Sequence, residues 1–282
     1  GFRKAFKITN GNQTSGAGVQ DYTRITYKIE AQDLSKCGWN YTSTSSFVTL
    51  QFWIKSSVAQ NFYFIFNTAD GGQTRSYVME TGSLSADTWT KITKTFPGDS
   101  QLAFDNDTGI GCYLYIYGYL GTNYTDNSVS VNAWKNVANP QTPVNTTTWW
   151  TTNDATLEIT GLQLEVGSQA TAFEHRSFGE ELQLCKRYYQ KYSPKYMAAQ
   201  YLITGEVAAN TIFFLPEMRA TPTATQATLN LRANTGSFQS VSVSSNYSLD
   251  NHGINYVVTK SGAATSASYV LYVNEAEYDA EL

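Results

Sequence analysis

The chain has little of what enzymes most often work with. Among its 282 residues there are two histidines, His175 in "FEHRSF" and His252 in "DNHGI". A Ser–His–Asp relay sets a histidine beside a serine on a sharp elbow, and no Gly-x-Ser-x-Gly occurs. There is no His-Glu-x-x-His to hold zinc and no glycine-rich cradle for phosphate. His175 therefore reads as a hydrogen-bonded junction residue and His252 as a turn residue. The three cysteines, Cys37, Cys112 and Cys185, are odd in number and far apart, which excludes a disulfide framework and any zinc spacing. Buried free thiols are a better reading than a Cys37–Cys112 bridge. Charged residues make up only 15% of the chain, and a net charge of -4 argues against a nucleic-acid partner held by its phosphates. No apolar run approaches the roughly 18–20 residues that span a bilayer, and no signal-peptide pattern opens the chain. Membrane insertion, cofactors and metals are not expected. The chain opens at Gly1 without Met, which reads as a fragment or processed product whose preceding part cannot be read.

What is abundant is aromatic and strand-forming: 20 Tyr, 14 Phe and 6 Trp in a chain that is 41% hydrophobic. Such composition, with Thr and Val and little Lys or Glu, is what pleated sheets select. In "RITYKIEA" Ile25, Tyr27 and Ile29 share one face and Thr26, Lys28 and Glu30 the other. "SFVTLQFWIKSS" sets Val48, Leu50, Phe52 and Ile54 against Phe47, Thr49, Gln51 and Trp53, and "NFYFIFNT" is apolar on both faces, as a central strand is. "TRSYVMET", "DTWTKITKTFPGD", "GCYLYIYGYLG" and "TLEITGLQLEVG" follow, separated by Gly, Asn and Asp turns. These predict an antiparallel sandwich over 1–174. A length of 282 residues favours two compact units, and strands return from Lys195 in "YLITGEV", "TIFFLP", "ATLNLRA", "SFQSVSVSS", "INYVVTK" and "ASYVLYVNEAEY", predicting a small β domain over 195–282.

Between them, residues 175–194 read as a linking helix. Ser177 followed by Glu180 is a capping box, Glu180 and Glu181 suit the positive end of the dipole, Lys186, Arg187 and Lys191 the negative end, and Pro194 stops it. Phe178, Leu182, Cys185 and Tyr189 form an apolar seam. An isolated helix of this length is marginal in water, so the seam needs a partner: other copies of the chain, or its own β domains.

Two further features bear on function. The long connection from Thr122 to Asn153 lacks strand periodicity, and such loops carry function or close a core. Sugar rings stack on aromatic faces while amides and carboxylates bind hydroxyls, so Trp134, Trp149, Trp150, Tyr124, Asp126 and Asn127 are the candidate ligand contacts. Asp105 and Asp107 in "FDNDTG" are a candidate carboxylate pair for glycoside hydrolysis, against a solvated turn or a surface calcium loop. Six Asn-x-Ser/Thr sequons, beginning at Asn12, Asn40, Asn106, Asn123, Asn145 and Asn246, are weak evidence in a chain so rich in these residues.

The stretch "ITGLQLEVGSQATAFEHRSFGEELQLCKRYYQ", from Ile159 to Gln190, resembles a segment of tail-fibre and tail-associated virion proteins of double-stranded DNA bacteriophages. There an "LE-G--AT-FE-R" strand and loop precede a helix reading "EL--C-RYY". "VTLQFWIKSS" and "ADTWTKITKTFPGD" are similar to that family's "-TLSFWVKSS" and "--TWE-KT-TIPGD", and "FLPEMRATPT" to its "F--MR--PT" motif. The resemblance covers most of the chain from about Tyr22. It implies a mostly β protein: a jelly-roll resembling carbohydrate-binding modules, one linking helix and a small terminal β domain. It further implies a homotrimer joined to other virion proteins, a Glu174–Arg176 junction ion pair, and no catalytic motif. The expected function is adhesion to host surface glycans from a virion appendage. The alternatives are a purely structural virion part, such as a capsid decoration or tail-assembly protein, or a glycan depolymerase.

Overall fold

The alternating segments become strands. A computed structural model describes residues 2–12, 16–71, 73–192, 195–202, 207–226, 229–233, 238–240, 248–259, 267–273 and 276–281. The chain is mostly β and forms two units, Gly1–Glu174 and His175–Glu281.

In the first unit the strands are β1 (Phe6–Thr9), β2 (Tyr22–Glu30), β3 (Phe47–Ser56), β4 (Tyr63–Thr68), β5 (Arg75–Glu80), β6 (Thr90–Pro97), β7 (Ile110–Leu120), β8 (Trp134–Asn136) and β9 (Thr156–Val166). Short helices α1 (Ala31–Lys36) and α2 (Thr148–Thr151) lie between them. One antiparallel sheet has the order β1-β9-β3-β6 and the other β2-β7-β4-β5-β8. With β8 taken as an addition to one edge, this is the strand order of a jelly-roll. The core is the pair of inner faces. Val48, Leu50, Phe52 and Ile54 of β3, with Phe96 and Leu157, meet Phe64, Phe66, Met79, Leu114 and Ile116 of the opposite sheet. Phe52 and Phe64 meet edge to face at 5.2 Å between ring centres. Each side chain of this size contributes about 1.5–3 kcal/mol when fully buried.

Two positions depart from the simple alternation. β2 is an edge strand, so Tyr27, expected on the inner face, is exposed. Glu30, expected on the polar face, is 1% exposed and accepts a hydrogen bond from Gln32 Nε2 at 2.7 Å. A register shift between Ile29 and Glu30 precedes α1. There the backbone of Ala31 lies so close to Gly111 that any Cβ on Gly111 would sit 2.6 Å from Ala31 Cα.

The segment after β9 folds back across the outer face of the first sheet. Thr49 Oγ1 donates to the Gly167 carbonyl at 2.8 Å, and Gln51 Nε2 to the Thr171 carbonyl at 2.9 Å. Glu165 accepts from the Thr171 amide at 2.9 Å and hydroxyl at 2.6 Å, and Gln163 Oε1 accepts from the Glu174 amide at 2.9 Å. Phe173 then meets Phe2 at 4.8 Å, and the Phe2 ring lies on Gly161, where φ is +63°. This strap explains why Thr49 and Gln51, on the outward face of β3, are buried.

In the second unit, α3 (Phe178–Lys186) begins at the expected capping box: Ser177 Oγ accepts from the Glu180 amide, and Glu180 accepts from the Ser177 amide. The helix is shorter than the expected 175–194. After the cap residue Arg187 the chain enters β10 (Tyr189–Tyr192), paired with β19 (Ala276–Asp279). Aromatic Tyr188, Tyr189 and Tyr192 suit a strand better than a helix. The buried Gln190 fixes the change by donating to the Lys186 and Pro216 carbonyls. Arg176 pairs with Glu181 at 3.1 Å, not with Glu174.

The remaining strands are β11 (Lys195–Leu202), β12 (Val207–Phe213), β13 (Thr223–Gln226), β14 (Leu229–Ala233), β15 (Phe238–Ser240), β16 (Ser248–Leu249), β17 (Gly253–Thr259) and β18 (Ala267–Val273). Their sheet orders are β10-β19-β13, β11-β18-β14-β15 and β12-β17-β16. Much of expected "SFQSVSVSS", part of "YLITGEV" and the sequon at Asn246 lie outside the described residues. The "FLPEMR" motif is structural here. Phe214 and Met218 are buried, Phe214 packs on Tyr278 at 4.8 Å, and Arg219 Nη1 donates to the Ala280 carbonyl at 2.7 Å.

Candidate functional site

The connection after β7 uses its tryptophans to fill space. Trp149, on α2, has no exposed surface, its ring lies against Gly118 of β7, and its amide donates to Gln60 Oε1 at 2.7 Å. A ligand cannot reach it, which corrects the expectation for Trp149. Trp150 is half-buried on Tyr119, with ring centres 4.8 Å apart. Trp134 extends the core at the β8 edge, packing on Tyr77 at 5.2 Å and donating its indole N–H to the Pro97 carbonyl at 2.8 Å. Large indoles are what close the open end and edge of a sandwich, and that need outweighs ligand contact here. Tyr124 lies half-buried in a 3-10 turn, edge to face with Tyr22 at 6.2 Å. Asp126 and Asn127 are exposed but engaged with the loop. The Ser128 amide, 2.7 Å from Asp126, holds that carboxyl below the usual range, and Asn127 Oδ1 accepts from the Val144 amide at 3.2 Å.

The aromatic surface lies instead on the outer face of the second sheet. Cross-strand register places Lys28, Tyr113, Asn67, Ser76 and Lys135 in one row across five strands, and Thr26, Tyr115, Ile65 and Val78 in the next. The connection covers part of this face, where Val129, Val131 and Tyr124 pack on the cluster of Ile65, Val78, Tyr117 and Leu120. Burial there pushes the Tyr117 phenol up to about 12, and its hydroxyl donates to Gln141 Oε1 at 2.8 Å.

On the β2 side the face remains open. Tyr113 and Tyr115, both half-buried, stack at 5.2 Å with 14° between their planes. The exposed Arg24 guanidinium lies over the Tyr115 ring at 4.3 Å and the Tyr22 ring at 5.0 Å. Tyr113, Tyr115, Arg24 and Tyr22 thus form one ladder along the sheet. The signal was present in the sequence as the alternating tyrosines of "GCYLYIYGYLG", but an even run of tyrosine looks the same whether it faces a core or solvent. At the end of this face, a cavity of about 10 Å³ beside Tyr117, lined by Gln60, Tyr63, Thr142 and Asn145, has room for about one water and is far too small for a sugar.

Asp107 Oδ1 accepts from the Gly109 amide at 2.8 Å, and Asp70 Oδ2 from the Asp105 amide at 3.1 Å, so Asp105 and Asp107 belong to hydrogen-bonded turns. No cluster of three potential metal ligands occurs among the described residues. His252 is the expected turn residue, its amide bound to Asp250 Oδ1 at 2.8 Å, and His175 is exposed. All three cysteines are free, but only Cys112 is buried; Cys37 and Cys185 are exposed. Of the expected seam, Phe178, Leu182 and Cys185 lie on α3 and are exposed, Phe178 at 81%, while Tyr189 belongs to β10.

No family model and no curated protein matches the sequence. A solved structure described as "Crystal structure of PBSX exported protein XepA" aligns with 97% of this chain and 86% of its own length, at 6% identity and a TM-score of 0.21. A TM-score this low carries no argument about fold or role. Among the described residues, no helix is long and apolar enough to cross a membrane.

Proposed function

We propose that this chain is the distal part of a phage tail fibre or related virion appendage, and that it adheres to the host bacterial surface through glycans without a catalytic step. The observation that carries adhesion is the open ladder of Tyr113, Tyr115, Arg24 and Tyr22 on a jelly-roll sheet face. Stacked rings offer apolar surface to sugar C–H faces, and a shallow face without deep walls gives weak single-site affinity. Several copies acting together then supply avidity. The virion assignment rests on the Ile159–Gln190 resemblance. The strap gives that motif a structural use, since Glu165, Gly167, Thr171 and Phe173 are the residues that hold it down.

A second reading, a purely structural virion part, is favoured by the exposed apolar residues of α3, which ask for a protein partner. Labelled protein applied to a panel of bacterial strains separates the two. Adhesion predicts staining of some strains, loss of that staining after periodate oxidation of surface sugars, and at least about tenfold weaker staining by Tyr115→Ala. Staining that survives both treatments, or no staining of any strain, leaves the structural reading.

A further inference from the structure

The ladder holds a cation in an unusual setting. Arg24 lies over the rings of both Tyr115 and Tyr22, and stacking of this kind engages the face of a guanidinium while leaving its N–H edge able to donate. Packed against two rings, the side chain loses less freedom when it binds than an unsupported arginine does. No carboxylate lies within ion-pair distance of Arg24 among the described residues, so its charge is not already matched. The outward positions of β2 and β7 around it are Thr26, Lys28, Tyr113, Tyr115 and Tyr117, and the Tyr117 hydroxyl, opposite Arg24 in the register, lies within reach of its guanidinium.

We propose that the Arg24–Tyr115–Tyr113 face recognises a carboxylate-bearing sugar, such as a uronic acid unit of a surface polysaccharide. The carboxylate pairs with the Arg24 fork in the two-point geometry that guanidinium favours. The sugar ring rests on the adjacent tyrosines. This inference rests on the glycan-adhesion reading above and narrows it to acidic glycans.

The test uses the full chain against immobilised alginate, hyaluronate and polysialate, each compared with its own carboxyl-reduced form, beside the bacterial strains of the preceding experiment. The expected result is binding to at least one acidic polymer that weakens at least about tenfold on carboxyl reduction, and again about tenfold in Arg24→Gln. Trp89→Ala, an exposed aromatic in the turn just before β6, away from this face, should bind as the parent does. Thermal melting of Arg24→Gln should match the parent, because the residue is exposed on an edge strand. Equal binding to acidic and reduced polymers, or undiminished binding by Arg24→Gln, overturns the inference. Sugar-dependent cell binding without binding to any acidic polymer overturns it while leaving glycan adhesion standing. Binding to neither overturns both.

Discussion

Trp149 and Tyr115 show how differently one residue class can be used around a single strand, β7, the first packed against it from α2 and the second belonging to it. Trp149 is fully enclosed and a Cβ on Gly118 would stand 3.0 Å from its ring, so the two positions are fitted to each other. Replacing Trp149 with Ala should cost about 3–5 kcal/mol, read as a shift in the urea midpoint at constant slope, because the cavity cannot collapse against a strand backbone. Tyr115→Ala should cost far less, because that ring is half-exposed, yet it should abolish most sugar binding. The sequence made the aromatic content plain but could not divide it. Trp149 and Trp150 sit in a stretch without periodicity, so nothing local reveals which way an indole turns. Tyr113, Tyr115 and Tyr117 do alternate, but which face of β7 is outward depends on Leu114 and Ile116 meeting a second sheet far away in the chain.

The elements most legible in the sequence were those with strict period: β3, β4 and β6 lie where their alternation places them, and the capping box of α3 forms as Ser177 and Glu180 predict. The helix end was not legible, because Cys185 to Tyr189 continues a helical spacing while β19, distant in sequence, offers Tyr189 a pairing partner. The strap after β9 was equally hidden, since side chains make most of its contacts and no periodic pattern announces them. Its hold should depend on pH. Burial pushes the Glu165 carboxyl up, but hydrogen bonds from the Thr171 hydroxyl and amide and from Gln163, with Lys91 nearby, outweigh this and hold it below the usual range. A carboxyl depressed in the folded state stabilises fully above the ordinary glutamate range, and that contribution is lost as pH falls through the folded value. Amide exchange at Thr171, corrected for intrinsic rates, should therefore quicken as the solution is acidified toward pH 3. In Glu165→Gln the acceleration should shrink. An amide equally protected in both proteins across that range would show that the carboxylate does not hold the strap.

For the molecule as a whole, the exposed seam of Phe178, Leu182 and Cys185 makes self-association the natural expectation. Light scattering on a sizing column should give a mass near three times 31.3 kDa, and Leu182→Asp should return it to one chain. A parent that is already monomeric would remove α3 as a seam between copies of this chain. The strap has a separate consequence, which concerns force. Phe2, at the entry to the jelly-roll, and Phe173, at its exit, touch at 4.8 Å. Tension drawn along the chain between these points crosses a gap one ring contact wide, bypassing the strands between them. The sandwich then hangs beside the line of load, and a pull on the chain would strain the Phe2–Phe173 clasp before it reached the sheet that bears the tyrosine ladder.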